Sequence, residues 1–327
     1  MAINFSGVSA WTNEHTNATN FWTEALMGNS FVALVRETGT ILTGVKENTR
    51  KLPRLGATST MQDGDNCAFN ASGGVTFTQT TLNMKNVKFQ DTWCLRTMED
   101  YFTAVMLPAG QHYTESLSFP GGAAMVMEVE KAIQKALATA YLNETSLFSG
   151  LLDQLYDAYG INAGTTTPTN GGTAGTDAQG VFNICETLVN SWIVDEDLAQ
   201  EIQNGGVSIW MSPYDVKLYF ENYRTRFGDN PWATQQLTLL AGGAQSFIHA
   251  GTNVRIYSEP GLTTSRAIIM FRNGNPTLGF DLESDNNTLK FGLDEHEENI
   301  WYTARTKVGA SWRAIDANNV KYWGSAS

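Results

Sequence analysis

Between Pro120 and Leu155 the apolar positions recur at helical spacing. Val129, Ile133, Ala136, Leu137, Ala140 and Tyr141 share one face, while Glu128, Glu130, Lys131, Gln134 and Lys135 fill the other. Pro120 suits a first helical position, and Gly121 and Gly122 loosen the first turn. Leu147, Phe148, Leu151, Leu152, Leu155, Tyr156 and Tyr159 continue the period after Asn143-Glu144-Thr145-Ser146. A further helix is predicted from about Asp177, on Val181, Ile184, Cys185, Leu188, Val189 and Trp192, with Leu198 and Ile202 beyond, stopped at Gly205-Gly206. Val207 to Met211 reads as a strand, and Ser212-Pro213 opens a helix carrying Val216, Leu218, Tyr219 and Tyr223. The remainder alternates or runs apolar in strand-length pieces: 253–257, 266–271, 278–282, 289–292 and 300–315, separated by Gly, Asn and Pro turns.

Two segments lack the means to bury themselves. Residues 1–30 are rich in Asn and Thr, with Trp11, Phe21, Trp22 and Leu26 scattered among them and no evident period, which predicts a polar arm with aromatic anchors. Such an arm must lie on its own domain or on a neighbour. Phe31 to Val35 and Thr40 to Val45 are candidate short strands. Lys46 to Met84 turns to Gly, Asn, Asp, Thr and Ser, with Met61-Gln62-Asp63-Gly64-Asp65 and Ser72-Gly73-Gly74 as turn chemistry. This predicts a long polar two-stranded ribbon, a structure marginal in water without a surface to rest on. Asn162 to Gly175 is low-complexity and marks a boundary. The fold class is α+β, helices early and sheet late, without an internal repeat.

Charge narrows the function. The 327 residues carry 33 acidic and 21 basic side chains, net −12, so the field that would hold a phosphate backbone is absent. Cys67, Cys94 and Cys185 are too few and too widely spaced for a disulfide framework or a CxxC metal site. No signal peptide and no apolar run of membrane-spanning length is present, which points to a cytoplasmic chain. There is no nucleophile elbow, phosphate loop, HExxH pair or dinucleotide fingerprint, so no catalytic residue, cofactor or metal is assigned. Asp294-Glu295-His296-Glu297-Glu298 and Asp195-Glu196-Asp197 run consecutively, which suits solvated loops better than a shared ligand set. Nine tryptophans spread over every segment suit packing and subunit contact better than a sugar-stacking face.

One charge cluster is less ordinary. Arg36, Lys46, Arg50, Lys51 and Arg54 fall together at the ribbon's base with only Glu37 and Glu47 nearby. Glu128 and Glu130 on a neighbouring copy's long helix are candidate partners, and Trp11, Phe21 and Trp22 are candidate inter-subunit contacts. A solvated loop is the competing reading. Exposed pairs of this kind, worth only about 0.2 to 1 kcal/mol each, would set registry more than stability.

The order of parts resembles the major capsid proteins of tailed bacteriophages, whose fold is shared with encapsulins and the herpesvirus capsid floor. The long helix ending in Asn143-Glu144-Thr145-Ser146-Leu147-Phe148-Ser149-Gly150 looks like the family's spine helix. Val254-Arg255-Ile256-Tyr257, Arg266-Ala267-Ile268-Ile269-Met270 and Leu278-Gly279-Phe280-Asp281-Leu282 look like the axial strands, and Ile300 to Ile315 like the peripheral strand. The resemblance implies an N-arm at 1–35, an extended β-hairpin loop with its base at 36–90, a peripheral domain with the spine helix at 91–160, an axial α/β domain at 161–293, the long peripheral strand at 294–316 and a tail at 317–327. It further implies hexamers and pentamers closing an icosahedral shell around double-stranded DNA, a virion component made in the host bacterial cytoplasm. Scaffold, portal and decoration proteins are then candidate partners, with no membrane. Many members begin with a charged, helical scaffolding segment that a protease removes; a start on the arm implies either a mature form or a separate scaffold, and Met1 favours the latter. An encapsulin-type nanocompartment is the rival within the fold, and a secreted carbohydrate-binding protein or glycosidase the rival outside it.

Overall fold

The computed structural model describes residues 15–59, 73–94, 120–143, 148–159, 180–227, 238–239, 245–281, 288–294 and 299–324. Among them run α1 (His15–Met27), α2 (Ser30–Thr38), β1 (Thr40–Leu42), β2 (Thr49–Ser59), β3 (Gly73–Asn83), β4 (Lys85–Cys94), α3 (Pro120–Leu142) and α4 (Leu151–Tyr159). Then come α5 (Gly180–Ile193), α6 (Glu196–Gln203), β5 (Val207–Met211), α7 (Pro213–Phe227), β6 (Thr238–Leu239), β7 (Gln245–Ile248) and β8 (Arg255–Ser258). A single 3-10 turn (Pro260–Leu262) leads into β9 (Ile268–Arg272), β10 (Pro276–Phe280), β11 (Thr288–Asp294), β12 (Asn299–Trp312) and β13 (Val320–Trp323).

The first helices correct two expectations. Residues 15–27 of the segment read as an arm form α1, its first fourteen residues lying outside the described ones, and Phe31 to Val35, read as a strand, lies in α2. Phe21, Trp22, Ala25 and Leu26 make a helical stripe, as do Phe31, Val32, Leu34, Val35 and Thr38, and both stripes are buried on the chain's own body. Gly28 closes α1 through its N–H to Glu24 O at 2.8 Å. Asn29 opens α2, its side chain accepting from the Phe31 N–H at 2.8 Å.

Two sheets follow. In the first, β12 pairs antiparallel with β10, β11 and β4, and β1 adds to β10 in parallel. Residues 276–293, expected with the second unit, therefore contribute β10 and β11 to the sheet of β12. The second sheet has the order β13-β9-β5-β8-β7-β6, parallel only between β5 and β8. The stretch expected as a tail supplies its edge strand, with Val320 opposite Phe271 and Trp323 opposite Ile268.

The second sheet is buried on both faces, which is why its central strands β5 and β9 are mostly apolar. On one side Val207, Ile209, Met211, Ile256, Ile268 and Met270 meet α5, α6 and α7. On the other, Trp210, Tyr257, Ile269 and Phe271 join the core formed with α1 to α4 and the first sheet. Trp210 and Phe271 lie edge to face at 4.6 Å, Phe271 reaches Trp312 at 5.5 Å, and Phe31 reaches Trp210 at 5.5 Å. Each large side chain buried here contributes roughly 1.5 to 3 kcal/mol. Trp312 is pinned to α4 by its indole N–H on Leu151 O at 2.8 Å, and Gln154 returns a bond to Ala310 O at 2.9 Å.

Asp215, fully buried in the first turn of α7, accepts from the Ser212 hydroxyl at 2.6 Å and from Arg266 Nε at 3.1 Å. Arg266 is the one non-glycine at positive φ among the described residues, +50°, and its guanidinium lies 4.7 Å above the Tyr214 ring. The ion pair holds that left-handed backbone in place. Deeper in the second core, Tyr219 OH and His249 Nδ1 are 2.7 Å apart, and burial pushes the His249 pKa down to about 4.

Two measurements probe this core. Asp215→Ala, which strands a largely buried guanidinium, should lower unfolding stability by about 3 to 5 kcal/mol in urea titration. His249 folds neutral, so its contribution is full above its unfolded value near 6.5 and is lost as pH falls from there through about 4. Melting temperatures of the wild type should decline over that window, and His249→Phe should flatten the decline.

Candidate assembly surface

The ribbon is present as β2 paired antiparallel with β3, from Thr49 opposite Asn83 to Ser59 opposite Gly73. The expected turn residues 60–72 lie outside the described residues. Its root is a small core of its own: Val45, Leu52, Leu82 and Met84, with Leu42 against them. The root sits in a notch made by two glycines. Gly279 on β10 and Gly309 on β12 are register partners, and a Cβ at either would stand 2.6 Å and 2.9 Å from Met84 Sδ. At Gly309 the same Cβ would also meet Asn83 O at 2.4 Å. Only the absence of side chains there lets the ribbon enter the sheet so closely. Along one flank, the Thr80 hydroxyl donates to Arg313 O at 2.6 Å, and Arg54 pairs with Asp316 at 3.2 Å.

Beyond Arg54 and Thr80 the described side chains of the ribbon are exposed. Strand alternation puts Lys51, Leu55 and Ala57 on one face with Val75 and Phe77 of the partner strand. Leu55, Val75 and Phe77 are 62%, 61% and 79% exposed, among the most exposed large apolar side chains described. A second apolar surface, smaller, lies where α5 ends at Ile193 and Val194, beside a cleft of about 450 Å³ lined also by Ile202 and Ile248.

The predicted contact residues are divided. Phe21 and Trp22 are buried within the first core, so they hold α1 to its own chain and present nothing to a neighbour. Trp11 lies outside the described residues. Arg36 is exposed at the end of α2, its guanidinium donating to Met27 Sδ at 3.7 Å. Arg54 is taken by Asp316. Lys46, Arg50 and Lys51 are exposed around the ribbon's root, where Lys46 O also accepts from the buried Lys307 ammonium. On α3, Glu128 is paired with Lys131 at 2.8 Å. Glu130 accepts from Gln134 at 2.9 Å, and burial together with nearby Glu24 pushes its carboxyl pKa up.

Other candidate chemistry resolves into structure. Asp195 caps α6, accepting from the N–H groups of Asp197 and Leu198. The side chains of Asp294 to Glu298 lie outside the described residues. Trp22, Trp192, Trp210 and Trp312 are fully buried within the two cores, so these four form no sugar-stacking platform. Cys185 is a free, buried thiol whose pKa burial pushes up. Among the described residues no His, Cys, Asp and Glu group could hold a metal, and no helix is long and apolar enough to cross a membrane.

The sequence matches no protein-family model and no curated protein. The architecture does find counterparts among solved structures. It is similar to the satellite phage P4 procapsid including the size determination protein, with TM-score 0.53 and 10% identity over 93% of this chain and 98% of that one. It is similar to the capsid of the native GTA particle, with TM-score 0.51 and 11% identity over 90% and 97%. A structure of Gordonia phage Cozz gives TM-score 0.51 and 12% identity over 90% and 87%. At such low identity the likeness speaks for architecture: the chain has the α+β fold of the tailed-phage major capsid proteins.

Proposed function

We propose that the chain is the major shell-forming subunit of a tailed-phage capsid, working by tiling with copies of itself and not by catalysis. The observation that carries this reading is the ribbon, which projects Leu55, Val75 and Phe77 into solvent on a two-stranded element rooted at one end. A ribbon of that length is marginal in water and an exposed apolar face seeks cover. A second copy supplies that cover. The α1 segment does not add to the argument, since it finds its surface at home.

In this reading copies associate as hexamers and pentamers and close an icosahedral shell around double-stranded DNA in the virion. The net charge of −12 suits a wall that encloses a polyanion without gripping it. The sheet built on β12, together with α3, serves as the peripheral domain; the sheet built on β5, with α5 to α7, serves as the axial one. Scaffold, portal and decoration proteins would meet the assembled shell.

Two variants test the ribbon's role. Replacing residues 55–77 by Asn-Gly joins Arg54 to Thr78, which already face each other, and spares the root core. That protein should stay folded by circular dichroism and lose assembly in electron microscopy and light scattering. Shells formed at wild-type yield would refute the role given to the ribbon. Gly309→Ala, which crowds Asn83 and Met84, should cost about 1 to 3 kcal/mol and yield malformed or fewer particles. Nuclease-protected DNA in purified wild-type particles checks the enclosed cargo; particles carrying protein cargo in its place would favour a nanocompartment.

A further inference from the structure

Beside the start of α2, the outer face of α3 and the Pro260 turn enclose an open cleft of about 340 Å³. The turn is pressed hard against the end of α3: a Cβ on Gly261 would lie 2.4 Å from Leu142 Cδ1. Asn29, Ser30, Gln134, Lys135 and Thr139 line the cleft, and Glu259 lies in its wall. Glu259 is only 1% exposed. One carboxyl oxygen accepts from the Gly261 N–H at 3.0 Å; the other has no hydrogen-bond partner. A buried acceptor left bare is costly, and native proteins rarely leave one so.

The cleft's other groups leave that oxygen unsatisfied. Asn29 donates to Gln134 O at 2.6 Å, and Gln134 donates to Glu24 O and Glu130. The charged groups facing Glu259 are on α3: Lys131, held by Glu128, and Lys135, exposed at the rim; α2 presents only the uncharged Asn29 and Ser30. None of the donors lining the cleft, the Lys131 and Lys135 ammoniums and the Ser30 and Thr139 hydroxyls, bonds that oxygen, and the two hydroxyls also carry acceptor lone pairs. A group with several N–H bonds and a positive charge fits that need.

We propose that this cleft is a socket for the ammonium or guanidinium of a basic side chain from the ribbon root of a second copy, received by the free oxygen of Glu259. The inference rests on the self-assembly reading. Arg50 and Lys51 are exposed at the ribbon root and have no ion pair among the described residues, whereas Arg54 is already held by Asp316. On the receiving side, Glu128 and Glu130 are occupied within their own helix, so the acceptor moves from them to Glu259. Burial pushes the Glu259 carboxyl up to about 7, so a free subunit holds it largely protonated at mild acidity. An arriving cation would favour the ionised form and release the proton.

The test compares wild type, Glu259→Gln, Arg50→Gln/Lys51→Gln and the combined triple variant in sedimentation velocity between pH 6 and pH 8. Wild-type association should strengthen as pH rises through about 7. Glu259→Gln should fold with an unchanged or higher melting temperature, associate at least tenfold more weakly at pH 8, and lose the pH dependence. Arg50→Gln/Lys51→Gln, at exposed positions that leave the fold alone, should reproduce both effects, and the triple variant should add nothing to either. Wild-type association and pH profile in Glu259→Gln, or fully additive losses in the triple variant, would overturn the socket while leaving the shell reading intact. Should Glu259→Gln fail to fold, a pH profile in Arg50→Gln/Lys51→Gln equal to that of wild type overturns it equally. Absence of any wild-type association would remove the shell reading and the socket together.

Discussion

Two-sided burial of one sheet organises this molecule. Because β5 and β9 send alternate side chains into two different cores, each strand is a wall shared by both. Neither core can shift without the other, and the long helix α3, the α1–α2 pair and the sheet of β12 are all referred to that wall through Trp210, Phe271 and Trp312. Interiors packed at this density transmit strain and do not absorb it. The rigid body so formed is what allows a slender ribbon to be held out from it.

Periodicity made the long elements legible. The α3 stripe, the β5 strand with its Ser212-Pro213 transition into α7, and the length of β12 follow from spacing and turn residues alone. The losses have physical causes. Residues 15–38 carry many Asn, Thr and Val, which disguise two helical stripes whose burial outweighs modest intrinsic propensity. The sheet membership of β10 and β11 depends on partners far along the chain, which no local pattern encodes. The edge strand at Val320 to Trp323 is four residues long, too short for alternation to stand out.

The surface was legible to a different degree. Turn chemistry around 61–74 announced a ribbon, but not which face of it would be apolar, since that depends on the register of Leu55 against Phe77. The basic residues were visible and their partners were not: Arg54 meets Asp316, more than two hundred positions away. Glu259 gave no signal at all. Between a serine and Pro260-Gly261 it reads as an ordinary turn acid, and only the closeness of α3 makes it a buried one.

The glycine notch also has a mechanical meaning. With a rise of about 3.3 Å per residue, an eleven-residue strand reaches roughly 35 Å, so a tilt of about 5° at its foot sweeps the far end through roughly 3 Å. Gly309 sets that foot against the Asn83 backbone, where no rotamer can wander, and Gly279 against the Leu82 and Met84 side chains. The aim of the whole lever is thus decided by two residues with no side chain, and a single added methyl group there would be amplified into a misdirected reach.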